Sequence, residues 1–182
     1  MDACSSDMEG SMKLTLSATI PFLFGLLIYT FGGSMQSPEK EIFTVHPVGR
    51  IHKRSTETTI EIASGYQEAL LGLDGFSHVW VFWWFDRNDT PHKRSVLRVH
   101  PQGNPQNLLT GVFATRSPAR PNLIGMSLCK IRSIQGSTIR VDSIDAFDNT
   151  PVLDLKPHIP GSDGVEKATV PSWISRKNTP DL

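Results

Sequence analysis

The chain has 182 residues, which is room for one ordinary domain and an extension. A hydrophobic content of 38% and a charged content of 20% suit a packed core and exclude a disordered chain. Formal net charge is zero, so no global field argues for nucleic acid; residues 36–182 carry 17 basic against 15 acidic side chains, which leaves a polyanionic partner open.

The first 36 residues read as an extension. Lys13 is followed by 18 uncharged residues, 14–31 (LTLSATIPFLFGLLIYTF), at the lower limit for crossing a bilayer. The segment reads as a membrane anchor or uncleaved signal, as a cleaved signal, or as a stretch without a role upstream of a start at Met35. Sparse flanking charge leaves any orientation open. Two cysteines, Cys4 and Cys129, make no disulfide framework, and no Cys/His spacing resembles a zinc site. A reducing compartment is expected, and no metal.

From residue 41 to 176 the chain is a series of short β-like runs separated by Gly, Pro, Asn and Asp: 42–52, 58–62, 78–85, 95–100, 111–115, 124–134, 137–143 and 152–155. That spacing predicts an all-β fold, a barrel or sandwich, because α/β folds need longer helical patterns between strands. Residues 66–71 alone read as a helical turn, and 135–137 (QGS) as the turn of a hairpin. The run 78–85 (HVWVFWWF) is apolar on both faces, which predicts core on one side and another layer or subunit on the other; the strand reads as core alone, or as core with a dimer or ligand contact. Residues 177–182 form a tail.

Two stretches carry chemistry. Residues 111–127 (GVFATRSPARPNLIGMS) set Arg116 and Arg120 four apart in a loop stiffened by Pro118 and Pro121. Guanidiniums offer planar donor forks to carboxylate or phosphate; Asn122 adds an amide and Gly125 a place for backbone to approach a ligand. The loop reads as an anion or nucleotide site, or as a surface turn whose arginines pair with nearby carboxylates. Residues 145–157 (DAFDNTPVLDLKP) hold Asp145, Asp148 and Asp154, but 148–151 is also good turn chemistry, which weakens a metal reading. A turn whose Asp and Thr meet a ribose or a neighbouring loop fits better.

Together these stretches resemble the paired signature of the TsaA/TrmO-like family, GxFATRSPxRPNPIGLS followed by DxxDGTPxLDIKPY. Residues 73–80 (LDGFSHVW) resemble a third block of that family, GLxxFSHxW, and His46 to Ile51 its opening strand; Trp173 resembles the tryptophan near the end of shorter members. The likeness covers residues 43–174.

The resemblance implies a small, mostly antiparallel β-barrel that dimerises and binds S-adenosylmethionine near the subunit interface. It further implies methyl transfer to N6 of threonylcarbamoyladenosine beside a tRNA anticodon, and so a cytoplasmic domain, anchored or not through 14–31. Carried over residue by residue, cofactor contacts fall on Phe85, Asp86, Arg116, Asn122, Ile124, Gly125, Met126, Phe147, Asp148, Asn149 and Thr150. Asp148 and Asp145 are the candidate bases, with His78 a weaker one that opens a buried strand. Arg120, Lys93, Arg94 and Arg98 are candidate RNA contacts, with Lys53, Arg54 and His92 as further basic groups.

The chain departs from the pattern at several places. Leu123 replaces a proline, which is expected to loosen the loop, Asn149 replaces a glycine, His158 a tyrosine, and Asp86 a frequent histidine. A Pro-Arg-Gln segment after the first strand is missing. The departures bear on substrate and activity more than on fold, and they leave two other readings open: a methyltransferase of the same fold with another substrate, and a non-catalytic or membrane-tethered interaction module.

Overall fold

A computed structural model of the chain describes residues 41–174, and the apolar segment 14–31 lies outside them. Among the described residues no helix is long and apolar enough to cross a membrane. The elements in order are β1 (Gly49–Arg54), β2 (Glu57–Ile62), β3 (His78–Trp84), α1 (Pro91–Arg94), β4 (Arg98–Val99), β5 (Thr110–Gly111), β6 (Ile124–Gln135), β7 (Thr138–Val141), β8 (Pro151–Pro157) and α2 (Pro160–Asp163). Six strands close an antiparallel barrel in the order β1-β2-β7-β6-β3-β8, and β4 and β5 pair separately.

Period-two alternation builds the barrel. β2 buries Thr58, Ile60 and Ile62, β3 buries Val79, Val81 and Trp83, and β7 buries Ile139 and Val141. Ile51, Cys129 and Val152 complete the interior, each fully buried. Burial of a side chain of this size contributes about 1.5–3 kcal/mol, so the alternation fixes the register. β6 serves two neighbours: its first half, to Lys130, pairs with β3, and from Ile131 on it pairs with β7, with a register shift between Ile131 and Ser133. A bulge of this kind bends a strand far enough to help close a small barrel.

The barrel closes between β1 and β8 on only two residue pairs, Gly49 with Val152 and Arg50 with Pro151. Beyond them the seam continues into the loop before β8, where Asn149 N–H donates to Ile51 O at 2.7 Å and Ile51 N–H donates to Thr150 O at 3.0 Å.

Several expectations shift. The run 42–52 forms a strand only from Gly49; residues 41–47 are exposed, and strand pairing begins where β1 meets β2 and β8. The run 111–115 becomes β5 and a 3-10 turn, Val112–Ala114, and the turn at 66–71 is a 3-10 stretch, Ser64–Leu70. The hairpin at 135–137 forms, with Gly136 at φ 57°. Trp80 donates to Asp163 at 3.0 Å, Trp84 donates to Asp89 at 3.2 Å under the Arg94 guanidinium, and Phe82 faces a cleft.

Candidate functional site

The cleft has a volume of about 1140 Å³ and opens where β3 ends and β6 begins. Its floor comes from Phe82, Ile124, Met126 and Leu128, whose side chains alternate outward from the barrel while Gly125 and Cys129 stay buried. Three segments wall it: Phe85–Asn88 after β3, Phe113–Asn122 before β6, and Ser143–Phe147 after β7. These segments lie far apart in sequence; barrel closure brings them together.

Sequence chemistry holds each wall in place. In the arginine loop, Thr115 Oγ1 donates to Val112 O at 2.9 Å and accepts from Ser117 N–H, while Ser117 Oγ accepts from Ala119 N–H. These are the local side chain–backbone bonds that Ser and Thr favour in turns. Arg120 braces the same loop through long bonds of 3.4 and 3.5 Å to the carbonyls of Thr115 and Val112. Leu123, expected to loosen the loop, is fully buried, and its carbonyl accepts from Phe85 N–H at 2.8 Å. The lost proline is thus replaced by a core anchor. Arg116 is exposed and enters no ion pair among the described residues.

Arg94 ties α1 to this wall. It donates to Asp89 through Nε at 2.7 Å and Nη2 at 3.1 Å, and to Pro121 O through Nη1 at 3.2 Å. The hydrogen bond to Arg94 holds the Asp89 carboxyl below the usual carboxylate range, and the same bond raises Arg94. Across the cleft, the Arg87 guanidinium stands 4.0 Å over the Phe147 ring, a cation–π contact joining the first wall to the third.

The third wall alternates: Ile144 and Ala146 are buried, whereas Asp145 and Phe147 are exposed and line the cleft. Asp148 is outside the lining, its Oδ1 accepting Lys53 N–H at 2.8 Å. Asn149 adopts φ 66°, the left-handed conformation that asparagine tolerates better than most residues, so the turn forms without the glycine.

Of the residues singled out from sequence, Phe85, Asp86, Arg116, Arg120, Asn122, Ile124, Gly125, Met126, Asp145 and Phe147 line the cleft together. Asp148, Asn149 and Thr150 lie outside the lining, with Thr150 fully buried and its hydroxyl without a partner among the described residues. Lys93, Arg94 and Arg98 sit outside the lining, on α1 and β4. Gly125 is required by the protein itself, because a Cβ there would stand 2.5 Å from the Trp83 indole. His78 lies at the far end of β3, where Ser77 Oγ is 2.8 Å from its Nδ1.

Sequence reasoning passed over Phe82, Arg87 and Phe113, and read Lys53 only as a basic group; all four line the cleft. Arg87 carried a signal, a cation two residues after an aromatic strand, but its partner Phe147 is 60 positions away in sequence.

Comparison with known proteins agrees with the architecture. Residues 34–164 match the profile of the tRNA-methyltransferase O N-terminal domain. A probable S-adenosyl-L-methionine-binding protein of Pyrococcus horikoshii is 47% identical over 116 residues, 64% of this chain and 82% of that protein. A Homo sapiens tRNA (adenine(37)-N6)-methyltransferase is 38% identical over 122 residues, covering 67% of this chain and 25% of the human one. The crystal structure of TrmO from Pseudomonas aeruginosa superposes with a TM-score of 0.56 at 29% identity, over 71% of this chain and 62% of that one. The chain therefore spans a quarter of the human enzyme and less than two thirds of the bacterial one. With a profile matched over most of its length and a closed six-stranded barrel beneath it, the chain belongs to the tRNA-methyltransferase O N-terminal domain family.

Proposed function

We propose that the cleft binds S-adenosylmethionine and that the protein methylates the N6 nitrogen of a tRNA adenosine beside the anticodon. The observation that carries this reading is the convergence of three distant segments on one cleft whose chemistry matches the cofactor. Phe85, Phe147, Ile124 and Met126 offer apolar and aromatic faces, Arg116 a guanidinium free of ion pairs among the described residues, and Asp86 and Asp145 carboxylates. An adenosyl group, an amino-acid carboxylate and an ammonium find complementary groups there. The cleft, at about 1140 Å³, is large enough for a ligand of the cofactor's size.

When bound, S-adenosylmethionine supplies a methyl group on a sulfonium. The chain's residues then have to hold the nucleophile in line with that methyl and keep water away. The aromatic and apolar floor serves exclusion; Arg116 orients the cofactor's carboxylate end. Held there, the cofactor would supply the methyl group, with its sulfur leaving as a neutral thioether, and the carbamoyl-bearing N6 of the substrate would have to lose its proton. Asp145 is the better placed acceptor for it, since it lines the cleft whereas Asp148 already accepts from Lys53. The outer cations Lys93 and Arg98, on α1 and β4, serve RNA phosphate, while Arg120 braces the arginine loop.

The N6 nitrogen belongs to threonylcarbamoyladenosine in this reading, and the protein works as a homodimer in the cytosol, where tRNA is. Support for the dimer is exposed apolar side chains: Phe113, which lines the cleft, and Leu108 are each 82% exposed and Leu97 63%. Titration of S-adenosylmethionine into the full chain by calorimetry tests the cofactor site. Saturable binding that Phe147→Ala weakens is the expected result; no heat from a folded protein would remove the enzymatic reading.

A further inference from the structure

β1 grips the loop after β7 at successive points. Arg50 Nη1 donates to Asn149 O at 3.0 Å, Asn149 N–H to Ile51 O at 2.7 Å, and Ile51 N–H to Thr150 O at 3.0 Å. Lys53 adds the remaining contacts: its N–H donates to Asp148 Oδ1 at 2.8 Å, and its ammonium donates to Ile144 O at 2.9 Å and Ala146 O at 3.0 Å. The first three bonds extend the barrel seam and hold 149–150, the half of the loop outside the lining of the cleft. Lys53 alone among these reaches 144–146, the half that faces it.

The position of those two carbonyls is informative. They belong to the buried residues Ile144 and Ala146, and Asp145 lies between them; Phe147 follows at once. Fixing the backbone on both sides of Asp145 fixes where that carboxylate can stand, and the same anchor sets the start of Phe147. Charge-assisted bonds to carbonyls are short and strong enough to select one backbone arrangement. An ammonium that donates twice inside its own protein is also poorly placed to track phosphates, which its basic character alone suggested.

We propose that Lys53 is a positioning residue for the reaction: it acts through the 144–146 backbone to hold Asp145 and Phe147 in the cleft. The proposal rests on the cleft being the cofactor and nucleobase site. Lys53→Met keeps the aliphatic stem and removes the donors; Lys53→Arg keeps two donors with different reach.

Hydrogen exchange by mass spectrometry on the full chain, wild type and both variants, reads the loop directly, and S-adenosylmethionine affinity and tRNA methylation read the cleft. In Lys53→Met the expected result is faster exchange confined to 143–149, with kcat/KM lower on the order of 10- to 100-fold and kcat reduced more than KM is raised. Lys53→Arg is expected to return both readouts toward wild type. Unchanged exchange at 143–149, or an even loss of protection over all strands with turnover unchanged, would overturn the proposal. Were Lys53→Met unable to fold, Lys53→Arg alone would decide it: wild-type turnover with altered exchange contradicts a positioning role. If wild type itself neither binds the cofactor nor methylates, the functional reading fails, whereas the exchange pattern still shows whether Lys53 holds the loop.

Discussion

Gly125 and Trp83 face each other across the β3–β6 pair, and the indole occupies the space a side chain at 125 would need. A Cβ at position 125 would lie 2.5–2.7 Å from three ring atoms of Trp83, well inside van der Waals contact. That indole also donates to Ser127 Oγ at 3.2 Å and packs edge-on against Phe85 at 4.5 Å, so it cannot shift without disturbing the first wall of the cleft. Gly125→Ala is therefore expected to destabilise the domain by about 1–3 kcal/mol, the usual cost of overpacking, and to weaken cofactor binding through Phe85. Urea denaturation checks the first effect. A variant as stable as wild type would show that the strand pair opens to accept the methyl group.

Asn149 invites a two-way test. Its φ of 66° suits glycine and asparagine and penalises β-branched residues. Asn149→Gly is expected to leave the melting temperature within a degree or two, and Asn149→Val to lower stability by about 1–3 kcal/mol, the cost of holding a residue in a disfavoured region. Equal stability of the two variants would show that the turn takes another conformation.

Arg116 is the exposed guanidinium of the arginine loop and supports no ion pair among the described residues. Arg116→Ala should leave thermal unfolding unchanged while weakening S-adenosylmethionine binding on the order of 10- to 100-fold, the value of a lost charged hydrogen bond of about 1.5–3 kcal/mol. Arg94→Ala should behave in the opposite way. It removes bonds to Asp89 and Pro121 and the contact with Trp84, so unfolding should move first.

Asp163 gathers donors at the outer end of β3. Its carboxyl is held below the ordinary range, first by Ile159 N–H and then by the Trp80 indole. A depressed folded pKa contributes stability that is present above the unfolded value of about 3.9 and is lost as pH falls through the folded value. Asp163→Asn is expected to be less stable than wild type at pH 7, with the gap narrowing below about pH 4. Denaturation curves at several pH values check this, and a gap independent of pH would contradict it.

Cys129 is fully buried, and burial pushes its thiol up to about 12, with Asp142 adding to the shift. Thiolate is the reactive form. In a Cys4→Ser background, labelling of Cys129 by a thiol reagent at pH 8 should require unfolding; rapid native-state labelling would show that the barrel opens.

Much of the fold was legible because strand alternation and turn residues are local signals. The aromatic strand, the bent hairpin around Gly136 and the arginine loop all appear where the sequence put them. Residues 41–47 were not legible: their apolar character matched a strand, but pairing depends on neighbours distant in sequence. The site divided along the same line. Arg116, Asn122 and Phe147 could be picked from their stretches. Asp148 was read as a ligand contact because a turn carboxylate shows no partner in sequence; only the seam with β1 shows its Oδ1 accepting from Lys53. Lys53 itself was invisible as a loop anchor, since its partners at 144 and 146 lie more than 90 residues on.

The most direct measurement is transfer of a labelled methyl group from S-adenosylmethionine to tRNA by the full chain, followed by digestion to nucleosides. Label on the N6 nitrogen of threonylcarbamoyladenosine, reduced in Arg116→Ala and Asp145→Asn, is the result expected here. A folded protein that binds the cofactor yet leaves that nucleoside unlabelled, or labels another, would contradict the assignment.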